Sequence, residues 1–247
     1  MTGADLAAGD WPGEGRRRPR RSWVTYATRA HLAAWLEEEA ARASADLGRI
    51  RVLDVGCGQK PYYPFFAPAA ERYVGVDLDP GNAMADLVGG IENLPVEDAS
   101  FDVVLCTQVL EHVGDPDRAV SELFRVTAPG GRVLASTHGV QVYHPAPVDH
   151  WRWTHTGLEL LFRRNAAWSS VRVTPAGGTA TCLAALTGVY VNVLFRRAHL
   201  QPAGNALVWL LNTGGAALDR RIPRLRATQP GSIFVNYHVV AQKPAQA

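Results

Sequence analysis

The chain is organised around residues 51–61, which read RVLDVGCGQKP. The apolar run 52–55 is rich in strand formers, and it ends at Gly56-Cys57-Gly58. This pattern predicts a buried strand that leads into a tight turn. The two glycines accept backbone angles that a Cβ would forbid, and they allow a ligand to approach bare main chain.

Asp54 lies inside this apolar run, where an unpaired carboxylate is costly to bury. It therefore needs a cationic or hydrogen-bonding partner, and the ammonium of a bound ligand would serve. A dinucleotide site has the pattern G-x-G-x-x-G, but Pro61 stands where the third glycine would be. The loop therefore predicts a ligand other than a dinucleotide.

A second predicted strand, residues 72–77, ends at Asp77. An acidic residue about 20 positions beyond a glycine loop reaches the hydroxyls of a ribose. A carboxylate accepts hydrogen bonds from both hydroxyls of a vicinal diol. Asp77 is thus a candidate ribose ligand, and the alternative is a turn residue before Leu78-Asp79-Pro80.

Further along the chain, predicted strands alternate with predicted helices, as in a doubly wound parallel sheet. Strands are expected at 103–106, 132–136, 171–174 and 232–242, and helices at 24–46 and 116–126. The length fits one domain over 22–247, with a helical cover inserted at about 176–228. Residues 1–21, which include RRRPRR, are expected to form a disordered basic tail.

The segments LDVGCG, VGVD, ENLPVEDASFDVV, VLEHVGDP and PGGRVL occur in this order within about residues 50–137. The series resembles the class I S-adenosylmethionine (SAM) methyltransferases, and most of all the small-molecule group that includes ubiquinone and menaquinone C-methyltransferases. The resemblance implies a three-layer, Rossmann-like α/β fold. Its seven-stranded sheet would be mostly parallel, with an antiparallel last strand.

The resemblance also implies SAM as co-substrate and assigns a role to each candidate binding residue. Four residues would hold the methionine part, namely Asp54, Gly56, Cys57 and Gly58, and Asp77 would hold the ribose, with Leu78 beside it as a further cofactor-binding residue. Ile91 and Glu92 would border the adenine, and Thr107 and Gln108 would line the pocket after the fourth strand. Gly90 stands where the family often has Asp, so Ile91 backbone atoms or another side chain would meet the adenine amine. Helix 24–46 would be a lid, or alternatively pack on the surface.

Polar residues after the fifth strand are candidates for the chemistry. Residues 149–154, DHWRWT, resemble the D-Y-W-R-F-T segment of bacterial methyltransferases thought to act on sugars, glycans or glycolipids. A hydroxyl acceptor needs a base, and histidine suits that role near neutral pH. His138 and His150 are the candidate bases, with Asp149 as orienting group or alternative base. The spacing matches no dedicated metal site, so no metal is predicted.

Composition excludes some function classes. The net charge is +2, and Thr107-Gln108-Val109-Leu110 stands where base-modifying enzymes carry an N/D-P-P-Y/F tetrad, so no nucleic-acid partner is expected. Three widely spaced cysteines fit a reducing cytoplasm.

The expected function is methylation of an oxygen on a sugar, glycolipid or secondary metabolite. Alternatives are C- or O-methylation of a quinone-like ring, and a non-catalytic SAM-fold binding or assembly protein.

Two long segments, 173–195 and 200–218, contain no charged residue. Each is long enough to raise the question of a membrane contact, although glycine, proline and asparagine interrupt both. The first interpretation is a pair of helices that cover the acceptor pocket or form a homodimer face. The alternative is a peripheral membrane contact through 180–226, with flanking arginines at the interface.

Overall fold

The structure is a computed structural model that describes residues 11–145 and 147–245. Within these ranges, the strands are β1 Ile50–Val55, β2 Ala70–Asp77, β3 Leu87–Val88, β4 Phe101–Thr107, β5 Thr127–His138, β6 Ser170–Ala176 and β7 Asn236–Gln242. The helices are α1 Glu14–Arg17, α2 Tyr26–Leu47, α3 Tyr63–Phe66, α4 Pro116–Val126, α5 His155–Asn165, α6 Thr179–Arg197 and α7 Gln201–Arg221, followed by a 3₁₀ helix, Pro223–Arg226.

The strands form one sheet in the order β3-β2-β1-β4-β5-β7-β6. All neighbouring pairs are parallel except those of β7, which runs antiparallel to both β5 and β6. The predicted seven-stranded, mostly parallel α/β sheet with an antiparallel last strand is therefore confirmed. The chain order reverses between β1 and β4, and ligands of such sheets bind at the carboxyl ends of the strands beside this point.

Helices cover both faces of the sheet. On one face, α2 buries Leu32 and Leu36 against a cluster that includes Val103 of β4. On the other face, α4 and α5 bury Leu123 and Phe162 among β-strand side chains. Burying each such side chain contributes about 1.5–3 kcal/mol, so these two layers fix the sheet that carries the site.

Helix α2 is a layer of this sandwich rather than the lid that the resemblance implied. Its buried residues recur on one side of the helix, as an apolar stripe does when it packs on a sheet. These contacts support the alternative expectation, packing on the surface, although the same kind of stripe could also cover a ligand. The sequence carries no sign that separates the two.

The prediction of a disordered tail is wrong for residues 11–21. Trp11 is buried, its ring centroid lies 4.2 Å from that of Tyr63, and its Nε1 donates a hydrogen bond to the Lys60 carbonyl at 2.8 Å. Arg17 Nη1 donates to the Pro61 carbonyl at 2.6 Å. One indole and one guanidinium thus attach this basic segment to the loop after β1. Residues 1–10 lie outside the described part of the chain.

Between β6 and β7 the chain forms two long helices, α6 and α7, that pack along each other. The buried Asp219 carboxylate accepts hydrogen bonds from the amides of Ala180 and Thr181, at 3.1 and 3.0 Å, and so caps the start of α6. Asn212 Nδ2 donates to the carbonyls of Arg21 and Trp23. The hairpin is therefore fixed to the N-terminal segment as well as to the sheet edge.

Candidate functional site

The glycine turn after β1 forms a notch at the carboxyl edge of the sheet. Gly56 and Gly58 have φ values of +66° and +48°, which side-chain-bearing residues rarely adopt. A Cβ on Gly56 would lie 2.5 Å from Val109 Cγ2, so this position also lacks room for a side chain. The Cys57 side chain turns inward and is buried. Bare main chain therefore lines this notch.

Asp54 lies below the notch and is almost fully buried. Tyr73 Oη donates a hydrogen bond to Asp54 Oδ2 at 2.7 Å. Burial raises the pKa of Asp54 to about 7, although the Tyr73 hydroxyl and the Lys60 ammonium oppose this rise. A cation bound in the notch would favour the ionised carboxylate, so the site is suited to a ligand ammonium.

Asp77 ends β2 and holds the glycine turn in place. Its Oδ2 accepts hydrogen bonds from Gly58 N at 2.8 Å and from Asn82 Nδ2 at 3.1 Å. Its Oδ1 accepts from Asp79 N at 3.1 Å. The next side chain, Leu78, is 74% exposed and offers an apolar surface beside the carboxylate. A carboxylate and an exposed apolar side chain thus lie side by side at the end of β2.

The other predicted cofactor residues differ in how much side chain they leave for a ligand. Ile91 is buried in the core, so its backbone is what remains for an adenine. Glu92 Oε1 accepts from Asp115 N at 2.8 Å, which ties this turn to the start of α4. Thr107 is half-buried at the end of β4. Gln108, at φ +57°, follows it.

Gln108 connects the predicted cofactor pocket to the end of β5. Its Nε2 donates to Ser136 Oγ at 3.1 Å and to Asn236 Oδ1 at 3.2 Å. The same Asn236 oxygen lies 3.4 Å from Nδ1 of His138, the last residue of β5. An Nδ1–H tautomer of His138 would donate to this oxygen and leave Nε2 free to accept a proton.

His138 faces a buried carboxylate that the sequence interpretation did not include. His138 Nε2 lies 3.3 Å from Glu111 Oε1, and Thr137 Oγ1 donates to Glu111 Oε2 at 2.8 Å. Burial raises the pKa of Glu111 to about 7 and lowers that of His138 to about 4. Near neutral pH, any proton shared by this pair therefore resides on Glu111.

Glu111 Oε1 has no hydrogen-bond partner within residues 11–145 and 147–245. The polar atom that faces Glu111 Oε1 is His138 Nε2, at 3.3 Å. A proton between these two atoms would give both of them a hydrogen-bond partner. The signal for Glu111 was present in the segment VLEHVGDP, directly after β4. From the sequence alone, this segment contributes to the family resemblance, and the resemblance gives no role to its acidic residue.

Asp149, the predicted orienting group or alternative base, is committed to Arg152. Both Asp149 oxygens accept hydrogen bonds from Arg152, at 2.5 and 2.7 Å, and the His144 amide donates to the same carboxylate. The Arg152 guanidinium holds the pKa of Asp149 well below its usual range. The His150 side chain is exposed, whereas its amide donates to the Glu111 carbonyl at 2.8 Å. Asp149 therefore orders the loop after β5.

One group near His138 has the composition of a metal site. Ligand atoms of His112, His144 and Asp149 all lie within 4.8 Å of one another. The Arg152 guanidinium already occupies both Asp149 oxygens, and its positive charge opposes a cation there. We therefore assign no metal to this group.

Comparison with known proteins identifies the core of the chain. A family model described as a methyltransferase domain matches residues 53–135. A malonyl-[acyl-carrier protein] O-methyltransferase of Erwinia billingiae is 33% identical over 135 residues, which are 47% of this chain and 53% of that protein. An uncharacterized methyltransferase of Mycolicibacterium gilvum is 38% identical over 130 residues, 47% of this chain and 51% of that one.

The fold of the chain also resembles that of solved structures. The crystal structure of a SAM-dependent methyltransferase from Archaeoglobus fulgidus superposes with a TM-score of 0.52 at 15% identity, over 93% of this chain and 97% of that one. The chain therefore shares the fold of this solved SAM-dependent methyltransferase, and its residues 53–135 match a methyltransferase domain. The chain spans between about two fifths and one half of the length of the curated relatives it matches.

Proposed function

We propose that the protein transfers the methyl group of SAM to a hydroxyl oxygen of a small molecule, of the sugar, glycolipid or secondary-metabolite type. The observation that carries this proposal is the buried Glu111–His138 pair. It lies at the end of β5 and is one asparagine away from Gln108. A proton acceptor at this place is what a hydroxyl acceptor requires, because a neutral alcohol is a weak nucleophile.

The cofactor would lie along the carboxyl edge, in the order that the motifs follow. Asp54 would pair with the methionine ammonium, and the main chain of 56–58 would contact the methionine part. Asp77 would bind the ribose hydroxyls, with Leu78, Ile91 and Glu92 bordering the adenine. Thr107 and Gln108 would face the sulfonium end. The buried carboxylate and the positive-φ glycines support this placement.

In this mechanism the chain supplies alignment and a base. SAM brings a methyl group on a positively charged sulfur, so the protein's largest contribution is to hold the acceptor oxygen in line with it. His138 Nε2 takes the hydroxyl proton as the oxygen gains the methyl group. Above about pH 7, where Glu111 is ionised, its carboxylate 3.3 Å away stabilises the imidazolium that forms. General-base catalysis of this kind contributes about 10²–10⁴-fold.

A second candidate acceptor is a quinone-like aromatic ring, methylated on carbon or oxygen. The stacked pair Trp151 and Trp153, with ring centroids 5.6 Å apart, favours it. Trp151 is partly exposed and lies next to His150 in the loop that follows β5. Such a face stacks on planar rings, although indoles also pack against sugars.

The test is transfer of a labelled methyl group from SAM to metabolite extracts, with His138→Ala and His150→Ala compared under identical conditions. We expect the first variant to lose label transfer and the second, whose side chain is exposed, to keep it. Labelling that survives His138→Ala would disprove the base assignment. SAM binding without labelling of any extract would favour the remaining alternative, a binding or assembly protein that retains the fold.

A further inference from the structure

We propose that the α6–α7 hairpin lies on an anionic lipid surface, and that the acceptor is carried by that surface. The second part of this inference rests on the proposed function, whereas the first does not. The hairpin carries two exposed apolar stripes that nothing in residues 11–145 or 147–245 covers. We define the hairpin surface by these stripes: Leu183, Tyr190 and Leu194 of α6, with Leu207, Leu210 and Leu218 of α7.

The spacing of these residues shows that each stripe is one helix face. On α6 the intervals are seven and four residues, and on α7 they are three and eight, which place the side chains on one side of a helix. Tyr190 is 65% exposed, Leu194 62% and Leu210 57%. Scattered exposed leucines are ordinary, but two apolar stripes on adjacent helices mark an interaction surface.

Helix α6 also differs from a core helix of the same composition. It is long and apolar enough to span a membrane by length and composition, with a mean hydropathy of 1.3. A core helix with that hydropathy would be mostly buried, whereas only 28% of this apolar window is buried. Burial inside the fold thus does not account for its hydropathy. A lipid surface would, because it covers one face of the helix.

Charge decides between a lipid surface and a second copy of the chain. Residues 176–228 contain six arginines, at 196, 197, 220, 221, 224 and 226, and one acidic residue, Asp219. Asp219 is buried and committed to the start of α6, so the exposed charge of the hairpin is entirely positive. Two such surfaces would repel each other in a symmetric dimer, whereas anionic headgroups attract each of these arginines.

The position of the hairpin relates this surface to the proposed chemistry. Helix α6 leaves β6 just after Ala176, and the chain re-enters the sheet at Asn236. Asn236 is paired with both Ala176 and His138, so the hairpin begins and ends at the carboxyl edge of the sheet. A lipid surface on the hairpin would therefore adjoin the edge where the methyl group is transferred. This geometry favours a lipid-linked acceptor over a freely diffusing one.

Vesicle flotation of the full chain tests the proposal, with phosphatidylcholine vesicles compared with equal mixtures of phosphatidylcholine and phosphatidylglycerol. We expect the chain to float with the mixed vesicles only, and to be released by salt. Leu194→Ser with Leu210→Ser should weaken partitioning by about tenfold or more. The matched control is Leu160→Ser, since Leu160 is 58% exposed on α5 and lies outside the hairpin.

Three results would overturn the proposal. The first is that the wild-type chain fails to float with the mixed vesicles. The second is that the double variant floats as well as the control variant, and the third is that neutral vesicles bind the wild-type chain as well as the mixed vesicles do. Sedimentation gives the competing outcome: a dimer that the double variant dissociates would show that a second copy covers the surface. Calorimetric titration with SAM separates failure of the lipid proposal from failure of the proposed function. Leu194 and Leu210 lie on α6 and α7, outside the notch, so the double variant should bind SAM as the wild-type chain does.

Discussion

At the scale of single residues, the site depends on two carboxylates that the fold keeps in apolar surroundings. Asp54 and Glu111 both have a pKa raised to about 7 by burial. Each is therefore poised to change charge near neutral pH when a partner arrives. The expected partner of Asp54 is a ligand ammonium, and that of Glu111 is the His138 imidazolium.

SAM affinity should consequently rise with pH and level off above about 7. Below that value, Asp54 in the free protein is protonated and must lose its proton before it pairs with the ammonium. Asp54→Asn should weaken binding by about 10–100-fold, the loss of one hydrogen bond to a charged group, and should flatten the pH dependence. Calorimetric titration at several pH values measures both, with the exposed Asp98→Asn as control. Affinity independent of pH in the unmodified protein would contradict this role.

The rate of methyl transfer should also rise through pH 7, for a different reason. The Glu111 carboxylate ionises in this range, and only the ionised form stabilises a protonated His138. Glu111→Gln should lower kcat by about 10-fold or more and abolish the rise, whereas KM for SAM should stay unchanged. A pH profile of kcat in the variant that parallels the original would show that Glu111 has no part in the proton transfer.

Residue by residue, the backbone geometry of the glycine turn was easier to predict from the sequence than the contacts of the candidate acid–base groups. Asp54, Gly56 and Asp77 follow from local rules, because a buried strand, a turn and a spacing are all written along the chain. The Glu111–His138 contact joins the turn after β4 to the end of β5, 27 positions apart, and nothing in the sequence aligns their side chains. Asp149 is predicted to orient a candidate base or to act as the base itself, but the loop geometry pairs it with Arg152.

At the scale of elements, composition led to a wrong prediction for the N-terminal segment, residues 11–21, which is ordered and not a tail. A basic, glycine-rich and proline-rich stretch is typical of a tail, yet Arg17 donates to the carbonyls of Trp11, Pro12 and Pro61. Trp11 reaches the Lys60 carbonyl. The strands and long helices were predictable from their periodicity, whereas this contact depends on two side chains that fit one loop.

Arg17→Ala should therefore destabilise the fold by about 1–3 kcal/mol, since its charged hydrogen bonds to three carbonyls would be lost. Arg18→Ala is the matched control, because Arg18 is exposed, and it should change stability by less than about 0.5 kcal/mol. Urea unfolding of both variants measures the difference. Equal unfolding midpoints for Arg17→Ala and Arg18→Ala would show that the Arg17 contacts do not stabilise the fold, as expected if residues 11–21 were a tail.

At the scale of the whole molecule, the sheet supports a site that costs stability. Folding holds the Glu111 carboxyl protonated up to about pH 7, whereas the unfolded chain releases that proton near pH 4.5. The folded state thus binds more protons between these values, and the contribution of Glu111 to stability falls as pH rises through this window. Glu122 is also buried, but Arg125 lowers its pKa, so its contribution is present above the unfolded pKa and is lost as pH falls.

These opposite signs predict opposite outcomes for two buried glutamates. At pH 8, Glu111→Gln should raise the free energy of unfolding by about 2 kcal/mol, so the variant should unfold at a higher urea concentration than the unmodified protein. The gain should shrink toward pH 5. Glu122→Gln should unfold at lower urea at pH 8, because Arg125 and the Leu94 amide lose an ionised acceptor. A stabilised Glu111→Gln that no longer transfers methyl groups would show that the buried carboxylate is kept for chemistry. If Glu111→Gln instead loses stability at pH 8, the carboxylate is structural and the proton-sharing pair with His138 is refuted.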